Sequence, residues 1–339
     1  MLNNEKIRGL KFRKHENQLF INYTKKSNFF HSKCKLILTV DFRILEMWFK
    51  KDGNLYVRLH RFQNWSEIMK TAMIGDNCID VYVRINGEVV NRRYPTGNCV
   101  DTGVNLQKLG IPTAIISTTG SDADGKWMIE TLTAEGLDVS HLKVGEGQTA
   151  ITYMDMNGND RVHGDYIEGV LENIVFDEED AAFAASHDLV HTALWGKAED
   201  VLPAIKAAGC KAISFDYADR LEHPLVEKTL PYVDYGFYSY HQDRDEFIEN
   251  FLKDKVDRGM KIAVATFGEK GSLAYDGKEF TSFGIFPAPN VVNTVGAGDS
   301  FISGFLYGVL NGWPVKDCLS KGAEVSAQVV QVFEPWVSE

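Results

Sequence analysis

No Cys-x-x-Cys pair, no His-Glu-x-x-His and no long apolar run occurs in the 339 residues. The five cysteines, Cys34, Cys78, Cys99, Cys210 and Cys318, are odd in number and irregularly spaced, so neither a disulfide framework nor a zinc site is indicated. The nine histidines form no ligand pattern, and no metal ligand is assigned. No stretch approaches the roughly 18 apolar residues of a membrane span, and the start lacks the apolar core of a signal peptide. A soluble protein of a reducing cytoplasm is expected.

A second absence divides the chain. Residues 1–68 contain no alanine and no proline, although both are ordinary afterwards. They carry 14 Lys and Arg against 6 Asp and Glu, while the remainder carries 22 against 41. The acidic remainder argues against nucleic acid as a partner. The basic segment lacks any run of five basic residues, and aromatics are scattered through it, so it does not read as a nucleic-acid or membrane tail. Its Lys, Asn, Phe, Ile and Leu share AT-rich codons. A start placed too early explains this more economically than an accessory domain does, with Met69 opening the natural first strand.

From Met69 onward, apolar runs of strand length alternate with amphipathic stretches, the pattern of a doubly wound, mostly parallel sheet covered by helices on both faces. Strands are expected at Ala72–Ile74, Ala114–Ile116, Leu189–His191, Ala212–Asp216, Tyr235–Tyr238 and Ile262–Thr266. Helices are expected over Asp101–Leu109, Gly125–Glu135 and Glu246–Asp257. Two segments instead show period-two patterns with turn residues, within about 81–98 around Asn86-Gly87 and within about 147–166 around Asn157-Gly158-Asn159-Asp160. A third hairpin, Gly271–Phe283, turns at Asp276-Gly277 and is expected at the sheet edge.

The densest chemistry lies in Asn293-Thr294-Val295-Gly296-Ala297-Gly298-Asp299-Ser300-Phe301. A Gly-Ala-Gly turn leading into a helix can wrap unpaired amides around an anion. Asp299 is then either an ordinary N-cap or a base beside that anion. Upstream, Gly75-Asp76-Asn77-Cys78-Ile79-Asp80 ends the first strand, where doubly wound sheets bind ligands, and a carboxylate there suits adjacent sugar hydroxyls.

The 293–301 stretch resembles the signature of the PfkB carbohydrate kinases, the ribokinase-like family, with Asn293 in place of the commoner Asp. The resemblance implies Asp299 as catalytic base and the amides of Gly296, Ala297 and Gly298 as anion hole. It places the sugar-binding carboxylate at Asp80, with Asp76 and Asn77 as further candidates, and makes the two hairpin segments a lid over the sugar. Pro95-Thr96-Gly97-Asn98-Cys99-Val100-Asp101 is similar to the family's N-terminal signature; Gly97 matches, while Thr96 replaces a glycine and Asp101 the sugar-contacting asparagine. Thr266-Phe267-Gly268-Glu269-Lys270-Gly271 resembles the nucleotide loop, implying Thr266, Gly268, Gly271 and Thr294 at the nucleotide. Where the family has a charged Asn-x-x-Glu linked to magnesium, Ser239-Tyr240-His241-Gln242 stands here.

Within the family, the segments Asn159–Val162, Gly164–Tyr166, Glu168–Val170 and Trp195–Asp200 look most like the bacterial fructoselysine 6-kinases. That branch implies ATP-dependent phosphorylation of a fructosyl-amino acid on its 6-hydroxyl, with ATP and Mg2+ as cofactors and K+ as a candidate activator. Asp101, Asp165, Glu168 and Glu199 are candidates to meet the substrate's charge, and each is also readable as a surface acid. Trp195 packs either on substrate or in the core, and Arg161 and His163 read as structural or exposed. The expected partners are a small sugar or fructosyl-amino acid and, for assembly, a second copy in a homodimer. The alternatives are a kinase for another sugar or nucleoside and a non-catalytic sugar-binding protein.

Overall fold

A computed structural model describes residues 69–158 and 160–338, together with the backbone of five strands before them. Those strands are β1 (Lys11–His15), β2 (Gln18–Asn22), β3 (Leu36–Val40), β4 (Arg43–Phe49) and β5 (Leu55–His60). The first two form an antiparallel hairpin and the other three an antiparallel sheet, in a unit spanning Met1–Glu67. The expectation of an early start concerns a segment that otherwise lies outside the described residues.

The second unit, Ile68–Glu339, is built on a nine-stranded sheet. Its strands, in spatial order, are β10 (Asp138–Gly145), β9 (Thr113–Gly120), β6 (Thr71–Ile74), β13 (Leu189–Ala193), β14 (Ile213–Asp216), β15 (Tyr235–Ser239), β16 (Ile262–Thr266), β17 (Ser272–Tyr275) and β18 (Phe280–Phe283). The first seven run parallel, and the hairpin β17–β18 closes the edge antiparallel. Buried strands with both faces covered need apolar side chains on each: Ala72 and Ile74 enter one core and Met73 the other.

Helices α1 (Asn98–Lys108), α2 (Ala123–Ala134), α7 (Ala297–Leu310) and α8 (Val315–Val329) cover the Met73 face through Val104, Leu132, Phe305 and Leu319. Helices α3 (Glu178–Ala185), α4 (Leu202–Ala207), α5 (Pro224–Thr229) and α6 (Glu246–Asp257) cover the other through Ala184, Ile205, Val226 and Leu252. Asp245 caps α6 by accepting from the Ile248 N–H, which fixes the start at Glu246.

A separate four-stranded sheet, in the order β12 (Asp160–Ile167), β11 (Ile151–Asn157), β7 (Cys78–Ile85) and β8 (Glu88–Thr96), is formed by the two period-two segments. Asn86 and Gly87 both have positive φ, 52° and 83°, the conformation of a tight two-residue hairpin turn. Tyr82, Met154 and Met156 of this sheet pack with Val295, just ahead of α7.

The chain runs outward from β6 through β9 to β10, then returns to β13 and proceeds the other way. Strand order therefore reverses between β6 and β13, and a crevice is expected at their C-terminal ends. Two glycines meet there: a Cβ on Gly75 would lie 2.9 Å from Gly196 Cα and 2.7 Å from Cys99 Sγ. Among the described residues no helix is long and apolar enough to cross a membrane.

Candidate active site

Helix α7 starts at the crevice. Its N-cap is Gly296, left-handed at φ 74°, where a Cβ would lie 3.0 Å from Pro335 O. Asp299 is thus the third helical residue, and the reading of it as an N-cap is corrected: the turn ahead needs positive φ, which glycine supplies. The N–H groups of Gly298 and Asp299 have no backbone acceptor among the described residues, as the first turn of a helix requires. Ala297 N–H makes a long 3.3 Å bond to Thr294 O. A Cβ on Gly298 would meet nothing within 4 Å, so open space lies against these amides, and an anion fits there.

Asn293 holds this turn to the small sheet. Its side-chain NH2 donates to Tyr82 Oη (3.2 Å) and Phe333 O (2.9 Å), while its Oδ1 accepts from Val295 N–H (3.0 Å). Only an amide can do all three, which gives a physical reason for Asn in place of Asp.

Asp299 is 8% exposed, and Asn98 Nδ2 donates to its Oδ1 at 3.1 Å across the gap between α1 and α7. Two further bonds tie these helices: Asn105 Nδ2 to Ser300 Oγ (3.3 Å) and Ser303 Oγ to Thr102 O (3.0 Å). Burial, followed by the nearby Asp216 charge, pushes the Asp299 carboxyl up to about 8, against the opposing effects of Asn98 and Arg161.

Asp76, Asp80, Asp101 and Asp216 are likewise buried. Asp76 lies at the end of β6 and accepts the first N–H of α1, from Asn98 at 2.9 Å, a cap that Gly97 has no side chain to provide. Its Oδ1 is buried with no partner among the described residues. Gly97 stands at φ 137°, and a Cβ there would come 2.9 Å from Asn77 Cα. Asn77 donates to Ser117 Oγ (2.7 Å) and Thr118 O (2.9 Å), leaving its buried Oδ1 unpartnered. Asp80 projects from β7, where Cys78 Sγ donates to it at 3.8 Å; burial raises its carboxyl to about 7, partly countered by Arg161. Asp216 ends β14 and is raised by burial to about 6.

The two departures from the N-terminal signature contact each other. Thr96 Oγ1 lies 2.9 and 2.8 Å from the two oxygens of Asp101, which is 2% exposed. Burial and the Asp299 charge raise the Asp101 carboxyl well above the ordinary carboxylate range, which favours its protonated form. A protonated carboxyl offers one donor hydrogen and an acceptor oxygen, close to what an asparagine amide offers.

Asp76, Asn77, Asp80, Gly97, Asp101 and Asp299 are therefore gathered at one crevice. Asn98 and Asp216 join them without having been selected from the sequence; their signals were a polar helix start and an acid at a strand end. Thr266 ends β16, and Gly268 (φ 58°) and Gly271 (φ 94°) shape the following turn. A Cβ on Gly271 would lie 2.2 Å from Phe283 O. No hydrogen bond among the described residues links that loop to the carboxylate cluster. Trp195, 53% exposed, is not a core residue. Glu199 lies 3.7 Å from Lys228.

Comparison with known proteins identifies the family. Residues 92–336 match the pfkB family carbohydrate kinase pattern. The chain is 39% identical over 269 residues to the fructoselysine 6-kinase of Escherichia coli, covering 79% of this chain and 100% of that protein. It is 28% identical over 270 residues to a fructosamine kinase of Bacillus subtilis, covering 78% and 92% respectively. Its fold matches that of Arabidopsis thaliana ribokinase, solved with ribose and ATP, with a TM-score of 0.69 at 21% identity over 79% of this chain and 94% of that one. By sequence, this chain belongs to the pfkB family of carbohydrate kinases.

Proposed function

We propose that the chain transfers the γ-phosphoryl group of ATP to the 6-hydroxyl of fructoselysine or a related fructosyl-amino acid. The observation that carries this reading is Asp299, buried at the start of α7 beside unpaired amides and held from α1 by Asn98. The 39% identity to a fructoselysine 6-kinase supports the substrate class.

The sugar lies among Asp76, Asp80 and Asp101, with its 6-hydroxyl toward Asp299. Asp299 accepts the hydroxyl proton as the oxygen attacks the phosphorus, and its raised proton affinity suits it to that role near neutral pH. The amides of Gly298 and Asp299 meet the charge on the transferring group, with Ala297 and the Gly296 turn shaping the cradle. When bound on the nucleotide phosphates in its usual manner, magnesium would supply further charge neutralisation. Thr266, Gly268, Gly271 and Thr294 border the nucleotide. The small sheet, carrying Asp80 and Arg161, covers the sugar and excludes water. A fructosyl-amino acid brings ammonium groups, which suit a cluster of carboxylates.

An ATP-consumption screen of the purified protein against fructoselysine, other fructosyl-amino acids, fructose, ribose and nucleosides tests the assignment. Fructoselysine should exceed fructose in kcat/KM by more than about tenfold, equivalent to ~1.4 kcal/mol of transition-state discrimination. A preference for ribose, fructose or a nucleoside would overturn the substrate and leave the kinase.

A further inference from the structure

The small sheet carries a row of side chains leading away from the reaction centre. Asp80 in β7 is in register with Thr152 in β11, and Thr152 with Tyr166 in β12. Residues in register share a face, and neighbouring strands lie about 4.8 Å apart, so the row extends roughly 10 Å from Asp80 to Tyr166. Two residues later comes Glu168, whose carboxylate is 2.5 Å from Lys197 Nζ.

Lys197 is held in an unusual way. Its ammonium also donates to the carbonyls of Leu171 (3.1 Å) and Glu172 (3.3 Å), and its backbone is left-handed at φ 54°, a conformation uncommon outside glycine and asparagine. It follows Gly196, the residue that abuts Gly75 at the crevice. Trp195 and Tyr166 expose 53% and 44% of their surface, large values for aromatics beside a ligand crevice. Proton transfer at Asp299 uses none of these four side chains.

We infer that Tyr166, Trp195, Glu168 and Lys197 form an outer subsite for the zwitterionic head group of the amino acid attached to the sugar. The inference rests on the fructosyl-amino-acid reading above. An extended lysine side chain spans about 6 Å from its amine to Cα, so a sugar seated at Asp80 places the head group near the far end of the row. Glu168 accepts from the α-ammonium and Lys197 donates to the α-carboxylate. A lone cation or anion in the wall would match only half of a zwitterion, whereas this ion pair matches both halves. The two side chains are 39% and 36% exposed, which leaves them accessible to a ligand from solvent. Tyr166 and Trp195 cover the intervening methylene chain.

Steady-state kinetics with four acceptors test this: fructoselysine, its α-N-acetyl derivative, its α-carboxamide and fructose. Each modified fructoselysine should lose on the order of tenfold in kcat/KM with the wild-type enzyme, mainly through KM. Glu168→Gln, and Lys197→Asn, chosen because Asn tolerates positive φ, should each lower the fructoselysine-to-fructose ratio of kcat/KM by a similar factor. Both should also flatten the discrimination against the modified acceptors. Equal use of the three fructosyl compounds by the wild type, or an unchanged ratio in both variants, overturns the outer subsite and leaves the fructosyl-amino-acid function standing. A wild-type enzyme that phosphorylates no fructosyl-amino acid overturns that function and the subsite together.

Discussion

At the scale of single residues, the burial that would make Asp299 a base near neutral pH also costs stability. Its carboxyl binds a proton more tightly in the folded protein than the ordinary value of about 3.9, so between roughly pH 4 and its folded value of about 8 the native state holds the extra proton. Its contribution to stability is therefore greatest below pH 4 and declines as pH rises through that window. Asp299→Asn removes the charge but keeps an oxygen to accept from Asn98. It should cut turnover by roughly 100-fold or more while raising the melting temperature at pH 8, with the gain shrinking toward pH 5. Assays of kcat and thermal melts at the two pH values check both halves; near-native turnover would remove Asp299 as the base. For the wild type, kcat/KM should rise with pH until Asp299 is ionised. Asp299 and the glycines before it were legible because their pattern is contiguous. Asn98, Asp216 and the contact between Thr96 and Asp101 were not, because their significance depends on neighbours that only folding supplies. Asn98 and Asp299 lie 201 positions apart.

Elements show a similar division. Helix α6 occupies the expected Glu246–Asp257, since a cap and a strong amphipathic pattern mark it locally. Strand β10 was not anticipated: it is an edge strand whose residues are mostly exposed or half-buried, so it carries little apolar signal. Packing between α7 and α8 was equally silent. A Cβ on Gly304 would lie 2.5 Å from Lys321 O, and one on Gly322 would lie 2.7 Å from Phe301 O, so the helices approach backbone to backbone. Alanine at 304 would gain about 1 kcal/mol of helix propensity. Forcing apart a close-packed contact costs about 1–3 kcal/mol, and more where backbone must move, so the loss should prevail. Gly304→Ala is expected to lower the midpoint of urea unfolding and to reduce kcat, because α7 also positions Asp299. An unchanged midpoint would show that the crossing has slack.

At the scale of the whole molecule, the unit Ile68–Glu339 contains every element of the proposed site and its own two-sided core. A chain beginning at Met69 should therefore be soluble, melt cooperatively and phosphorylate sugar at the full-length rate. Aggregation or loss of activity of that truncation would show that the preceding residues belong to the working fold. The buried carboxyls also give this unit a thermodynamic signature. An empty crevice near neutral pH retains protons on part of the Asp80 and Asp299 population. A cationic acceptor arriving among them favours the ionised forms and drives those protons into the buffer. Substrate capture is then an exchange of one cation for another, so its calorimetric heat should vary with the ionisation enthalpy of the buffer and its affinity should increase under alkaline conditions.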